Sequence, residues 1–188
     1  MEELGRHLVQ RYTAPAVRTW IFEHWNEPMT IDKFCADGQS TPAFGSYDSM
    51  FAYFDACEAG LHAADAGLQL GGPTTHSSVV AGSKQDPVGP FLDHCDTGTN
   101  AITNKSGTRL DFISIHRKGS DKNVPGGGNS SAILAAEKGF FDLIREQHPT
   151  FATLPFYNDE GDPISGWQKE ESFRAEAIYP AFMAAAIA

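Results

Sequence analysis

The feature that most constrains this chain is a repeated change of period. Short apolar runs rich in β-branched and aromatic residues alternate with longer runs whose apolar residues recur every three or four positions. After a leading helix over Glu2 to Tyr12, residues Val17 to Trp25 read as a buried strand. Tyr47 to Ala66 reads as a helix, because Met50, Phe51, Phe54, Cys57 and Leu61 fall on one face. Leu68-Gln69-Leu70 then gives a very short strand closed by a turn at Gly71-Gly72-Pro73, and a helix over Pro87 to His94 opens with proline in its first turn. Asp111 to His116 is the clearest strand. A Gly-rich loop follows it, then a helix over Ser131 to His148, a strand over Leu154 to Asn158, and a last helix over Phe173 to Ala186 kinked at Pro180. Four strand-then-helix units in succession predict parallel strands joined by right-handed crossovers, hence an α/β fold. A complete (β/α)8 barrel takes roughly 250 residues, so residues 1–188 are expected to form a single partial TIM barrel of four units. The chain starts and finishes on a helix, as though taken from the middle of a longer one, and unpaired strand edges offer a route to association.

Charge and composition remove several function classes. Acidic residues outnumber basic ones, the formal charge is −10, and no basic run is present, so a phosphate backbone would be repelled and nucleic acid is not an expected partner. No stretch approaches the ~18–20 apolar residues of a membrane span. The N-terminus lacks the apolar segment of a secretory signal. Cys35, Cys57 and Cys95 include no C-x-x-C pair, and His76 and His94 with Cys95 lack metal-ligand spacing, so neither a metal nor another cofactor is expected. Asn104 and Asn129 head sequons that would be glycosylated in a secretory compartment.

Two carboxylates end strand-like runs inside polar, turn-rich segments: Glu27 in Trp25-Asn26-Glu27-Pro28, and Glu160 in Tyr157-Asn158-Asp159-Glu160-Gly161-Asp162-Pro163. The C-terminal ends of barrel strands are where catalytic groups sit. Glycosidic cleavage needs one carboxyl to protonate the leaving oxygen and a second, ionised, at the anomeric carbon. Barrel curvature can bring these two face to face; a flat sheet could not. Glu23 shares strand parity with Glu27 and is expected to point into the barrel, where a buried charge would need a partner. Asp159 and Asp162 are expected to brace the turn around Glu160.

Taken together, Trp25-Asn26-Glu27-Pro28, His116-Arg117-Lys118-Gly119, the Tyr157 to Pro163 string and Gly166-Trp167 resemble glycoside hydrolase family 39, and within it the members that cleave α-L-iduronides. Tyr53 to Cys57, Leu70 to Pro73 and His94-Cys95-Asp96 are similar to that family's intervening segments, so the resemblance covers nearly the whole chain. It implies that the four strands are the fourth to seventh of the barrel, that Glu27 is the general acid/base and that Glu160 is the nucleophile. It further implies that Asn26 touches the sugar, that Lys118 meets the uronate carboxylate, and that the backbone at Gly166 helps hold the same group. His116 either lines the sugar subsite or closes the upper layer of the barrel through a hydrogen bond, and Trp167 either packs or offers a ring face to a sugar. The implied activity is release of terminal iduronic acid from dermatan and heparan sulfate with retained configuration, in a lysosomal or secreted setting at acidic pH. The alternatives are a non-catalytic fragment or short isoform associating through open strand edges, and the family's β-xylosidase chemistry. A neutral pentoside offers Lys118 nothing to hold, so Lys118→Ala should impair uronide turnover and spare xyloside turnover if both occur; parallel assays on the two aryl glycosides check this.

Overall fold

The computed structural model describes residues 1–28, 46–75, 81–83, 86–117 and 130–161. Helix α1 (Glu2–Tyr12) and the short α2 (Ala14–Val17) lead into strand β1 (Ile21–Glu23). Helix α3 (Tyr47–Ala64), strand β2 (Gln69–Thr75), helix α4 (Val88–Thr97) and strand β3 (Phe112–Ile115) follow. Helix α5 (Ser130–Gln147), a 3-10 turn (Pro149–Phe151) and strand β4 (Phe156–Asn158) complete the described elements. The strands form one parallel sheet in the order β1-β2-β3-β4. Sequential parallel order with right-handed crossovers puts every connecting helix on the same side of the sheet, as in consecutive strands of a (β/α)8 barrel.

The strand faces follow from the period of two. Phe22, Ile113, Ile115 and Phe156 join the main apolar core with Phe54, Phe91 and Leu92 of the helices. Their neighbours Glu23, Ser114 and Tyr157 turn to the opposite face. On that face the rings of Phe112 and Tyr157 meet edge to face at 5.4 Å. Helix α3 starts at Ser46, whose hydroxyl accepts from the Ser49 backbone N–H at 3.2 Å. The close approach of α1 to α3 uses Gly5, where a Cβ would lie 2.7 Å from that of Ala64.

Three expectations change. Residues 14–17 are helical, so the first strand is only Ile21–Glu23; Pro15 at the second helical position favours the turn. Gly71-Gly72-Pro73 lies within β2 rather than ending it. A Cβ at Gly71 would sit 2.4 Å from the Phe112 ring and one at Gly72 would sit 2.8 Å from His24 Nδ1, so the glycines serve close packing on both faces of the strand. The fourth strand is shortened to Phe156–Asn158, because the chain is still turning at Leu154, whose N–H donates to the Phe151 carbonyl at 3.0 Å just after the 3-10 turn. The expected helix over 173–186, with its kink at Pro180, lies outside the described residues.

Two polar groups sit deep in the core, on opposite terms. Asp55 is fully buried, and it accepts from Thr108 Oγ1 at 2.6 Å and the Ala101 N–H at 2.7 Å and pairs with His94 Nε2 at 2.9 Å. This is a satisfied network rather than a metal site. His24 packs against Phe54 edge to face and stacks on Phe91 at 6.0 Å, and this burial pushes its pKa down from 6.5 to about 4. Between those values the unfolded chain binds a proton that the folded ring refuses, so stability falls as pH drops from about 6.5 toward 4. Thermal unfolding followed from pH 7 to pH 4 should show His24→Leu losing less midpoint temperature than the wild type; parallel slopes would remove His24 as the cause.

Candidate active site

Parallel pairing brings the C-terminal ends of all four strands to one edge of the sheet, with Glu23 beside Gly71 and Ile115 beside Asn158 in register. Three cross-links tie the segments leaving that edge. Thr74 Oγ1 donates to the Trp25 carbonyl at 2.7 Å, joining the ends of β2 and β1. Asn158 accepts from the Arg117 N–H and donates to the Arg117 carbonyl, both at 2.9 Å, and its Nδ2 also donates to Glu137 at 2.8 Å. The third link is His116, buried at the end of β3, whose Nδ1 stands 2.9 Å from Glu27 Oε1.

Glu27 itself has φ 46°, a left-handed conformation that a non-glycine residue adopts at a cost. The ties at Trp25 and His116 hold the backbone there. Across the same imidazole, Glu160 Oε2 lies 3.7 Å from Nδ1 and Asp159 Oδ1 lies 3.5 Å from Nε2. One atom each from Glu27, His116 and Glu160 fall within 4.8 Å of one another. The expected pair of acids is therefore brought together, with His116 at their junction. The separation is of the order of the ~5–5.5 Å between carboxyl groups in retaining glycosidases. The same three residues could each offer a ligand atom to a cation, and among the described residues no further His, Cys, Asp or Glu joins that set.

Glu23 lies beneath them. Burial, then the Asp159 carboxyl, push its pKa up from 4.5 to about 8, with Ser114 pulling the other way and the charges of Asp159 and Glu160 adding to the rise. Its partner is thus an acid, not the cation that a buried charge would call for. Asn26 is exposed beside Glu27. Trp25 is also exposed and meets Tyr53 edge to face at 6.1 Å. Asn104 sits exposed in a turn with φ 56°. Lys118, Gly166, Trp167, Asp162, His76 and Asn129 lie outside the described residues. The roles of Asn158 as a two-strand clamp and of Asp159 as the second neighbour of His116 were not read from the sequence. The alternation along β4 is the signal that could have separated them, since adjacent residues there face opposite sides.

The sequence matches the family described as Glycosyl hydrolases family 39 over residues 1–188. It is 38% identical over 188 residues to the α-L-iduronidase of Homo sapiens, covering 100% of this chain and 26% of that protein. It is 30% identical over 138 residues to a β-xylosidase of Caldicellulosiruptor saccharolyticus, covering 73% of this chain and 24% of the relative. Among solved structures, a bacterial orthologue of human α-L-iduronidase matches with TM-score 0.67 and 32% identity, over 89% of this chain and 26% of that one. A monomeric β-xylosidase from Caulobacter crescentus matches with TM-score 0.61 and 25% identity, over 88% of this chain and 30% of that one. The chain thus spans about a quarter of the length of the curated relatives it matches.

Proposed function

The chain belongs to glycosyl hydrolases family 39, and from that premise we propose that it carries the two catalytic carboxylates of a retaining glycosidase acting on terminal α-L-iduronic acid. The observation that carries this reading is the convergence of Glu27 and Glu160 on His116 at the C-terminal edge of a sequentially ordered parallel sheet. Glu27 protonates the departing oxygen while Glu160 attacks the anomeric carbon. Water then hydrolyses the glycosyl-enzyme ester, with Glu27, now the base, taking a proton from the attacking water. The anomeric centre is inverted twice and configuration is retained.

His116 suits both half-reactions, because its Nδ1 can accept from a protonated Glu27 or donate to an ionised one at the same 2.9 Å separation. Asn26 contacts the sugar. Lys118 and the backbone at Gly166 bind the C5 carboxylate, and Trp167 packs near the ring. A uronate held against two catalytic acids requires a cation, and Lys118, two residues after His116 in the sequence, is the candidate to supply it. The substrates on this reading are iduronate-terminated dermatan and heparan sulfate chains, and the setting is lysosomal or secreted. None of the described helices is long and apolar enough to cross a membrane. Sequence likeness to β-xylosidases supports a second reading in which the same acids act on a neutral pentoside.

Release of a fluorogenic group from an aryl α-L-iduronide at mildly acidic pH tests the proposal. Glu27→Gln and Glu160→Gln should each lower kcat/KM by about 10²–10⁴-fold. Unchanged turnover in either variant refutes the assignment, and turnover of the β-xyloside alone transfers it to the second reading.

A further inference from the structure

The strand ends that carry Glu27 and Glu160 also carry Glu23 and Asp159, which the double displacement leaves unused. Glu23 turns away from the helix-side core, because Phe22 before it and His24 after it pack there. Only Gly71 separates it from β3 in the register, and the missing side chain leaves its carboxyl in reach of Ser114 and Asp159. Alternate strands fill one layer of a barrel interior, which is how β1 and β3 come to share this position.

Glu23 Oε1 is buried and has no hydrogen-bond partner among the described residues. Among the described residues, the titratable groups at this edge are Glu27 on its own segment, His116 and Arg117 after β3, Tyr157 on β4, and Asp159 and Glu160 after it; the described residues of β2 contribute none. An ionised carboxylate with one oxygen buried and unpartnered, beside two further acids, is disfavoured against the neutral form. A neutral carboxyl is itself a donor, and Asp159 is an acceptor beside it. Asp159 in turn faces His116 Nε2 at 3.5 Å, while Nδ1 of that ring faces Glu27.

We infer that Glu23 is a positioning residue of this site: its buried carboxyl donates to Asp159, which stands against Nε2 of the same His116 ring that meets Glu27. Glu23 and Asp159 thereby support the Nε2 side of the ring, so that Nδ1 is held against Oε1 of Glu27. This rests on the reading of Glu27 as acid/base and extends it by two residues beneath the imidazole.

Two measurements on the protein test this separately. The first needs no substrate. With its pKa raised from 4.5 to about 8, Glu23 keeps its proton in the fold where the unfolded chain has released it. The stability it contributes is therefore complete below about pH 4.5 and lost as pH rises through about 8. The midpoint temperature of the wild type should accordingly fall relative to that of Glu23→Gln between pH 4.5 and 8.5, and a gap that stays constant overturns the inference. The second compares kcat for Glu23→Gln, whose amide still donates, with Glu23→Leu, which cannot. The Leu variant should lose about 10- to 100-fold in kcat with little change in KM, and the Gln variant should recover most of that loss. Equal damage in the two overturns the inference while leaving Glu27 and Glu160 in place. Turnover that survives Glu27→Gln ends the catalytic reading as well. If Glu23→Leu does not fold, Asp159→Asn takes its place, and an undiminished kcat in that variant overturns the inference too.

Discussion

The contact between His116 and Glu27 is the tie on which the C-terminal edge of the sheet depends. Strands β1 and β4 are each three residues long, too short for ladder hydrogen bonds alone to fix what lies four residues beyond β1. Glu27 is placed by what it touches: a buried imidazole at the end of β3, with the Trp25 carbonyl held by Thr74 from β2. The left-handed backbone at Glu27 is the conformational cost of that placement. Asn158 performs the corresponding service for β4, locking its end to Arg117 and so fixing where Asp159 and Glu160 leave the sheet.

Asp55, fully buried, and Glu23, half-buried, are handled in opposite ways, and donor supply explains the difference. Asp55, on helix α3, is met by a hydroxyl, a backbone N–H and an imidazole, so its lone pairs are satisfied within the core. Glu23 meets other carboxyl groups instead, and burial favours its neutral form. The first arrangement ties α3 to α4 and the turn behind it; the second stores a proton directly under the groups proposed to move one. Strain and unsatisfied polar atoms gather at functional sites and are sustained by the packing around them. Here both occur within one layer of side chains at the sheet edge.

Relatives of two activities share this segment, which bears on where specificity resides. On the reading proposed above, the acids, the histidine and the cross-linked strand ends concern the anomeric carbon, which every substrate of such enzymes presents. The uronate differs from a pentoside in the charged group on C5, and on the reading proposed above that group is met by Lys118, two residues after His116 in the sequence. A common catalytic edge with a variable binding loop is how one barrel supports several substrates.

Much of this was legible in the residues themselves. The alternation of strand-like and helical periods determined the class and the parallel order, because each period buries only one kind of face. Glu27 and Glu160 were legible as a pair, since each follows a strand-like run inside a turn-rich string. Tertiary structure alone decided three matters. Gly71-Gly72-Pro73 is strand and not turn because the rings of Phe112 and His24 need the space that side chains would fill, and no local propensity encodes a neighbour that distant in sequence. His116 stands between both acids because three strand ends meet there, which requires the register of separate pairings. The neutral carboxyl of Glu23 likewise depends on burial and on Asp159, neither of which exists until β1 and β4 are folded into the same sheet.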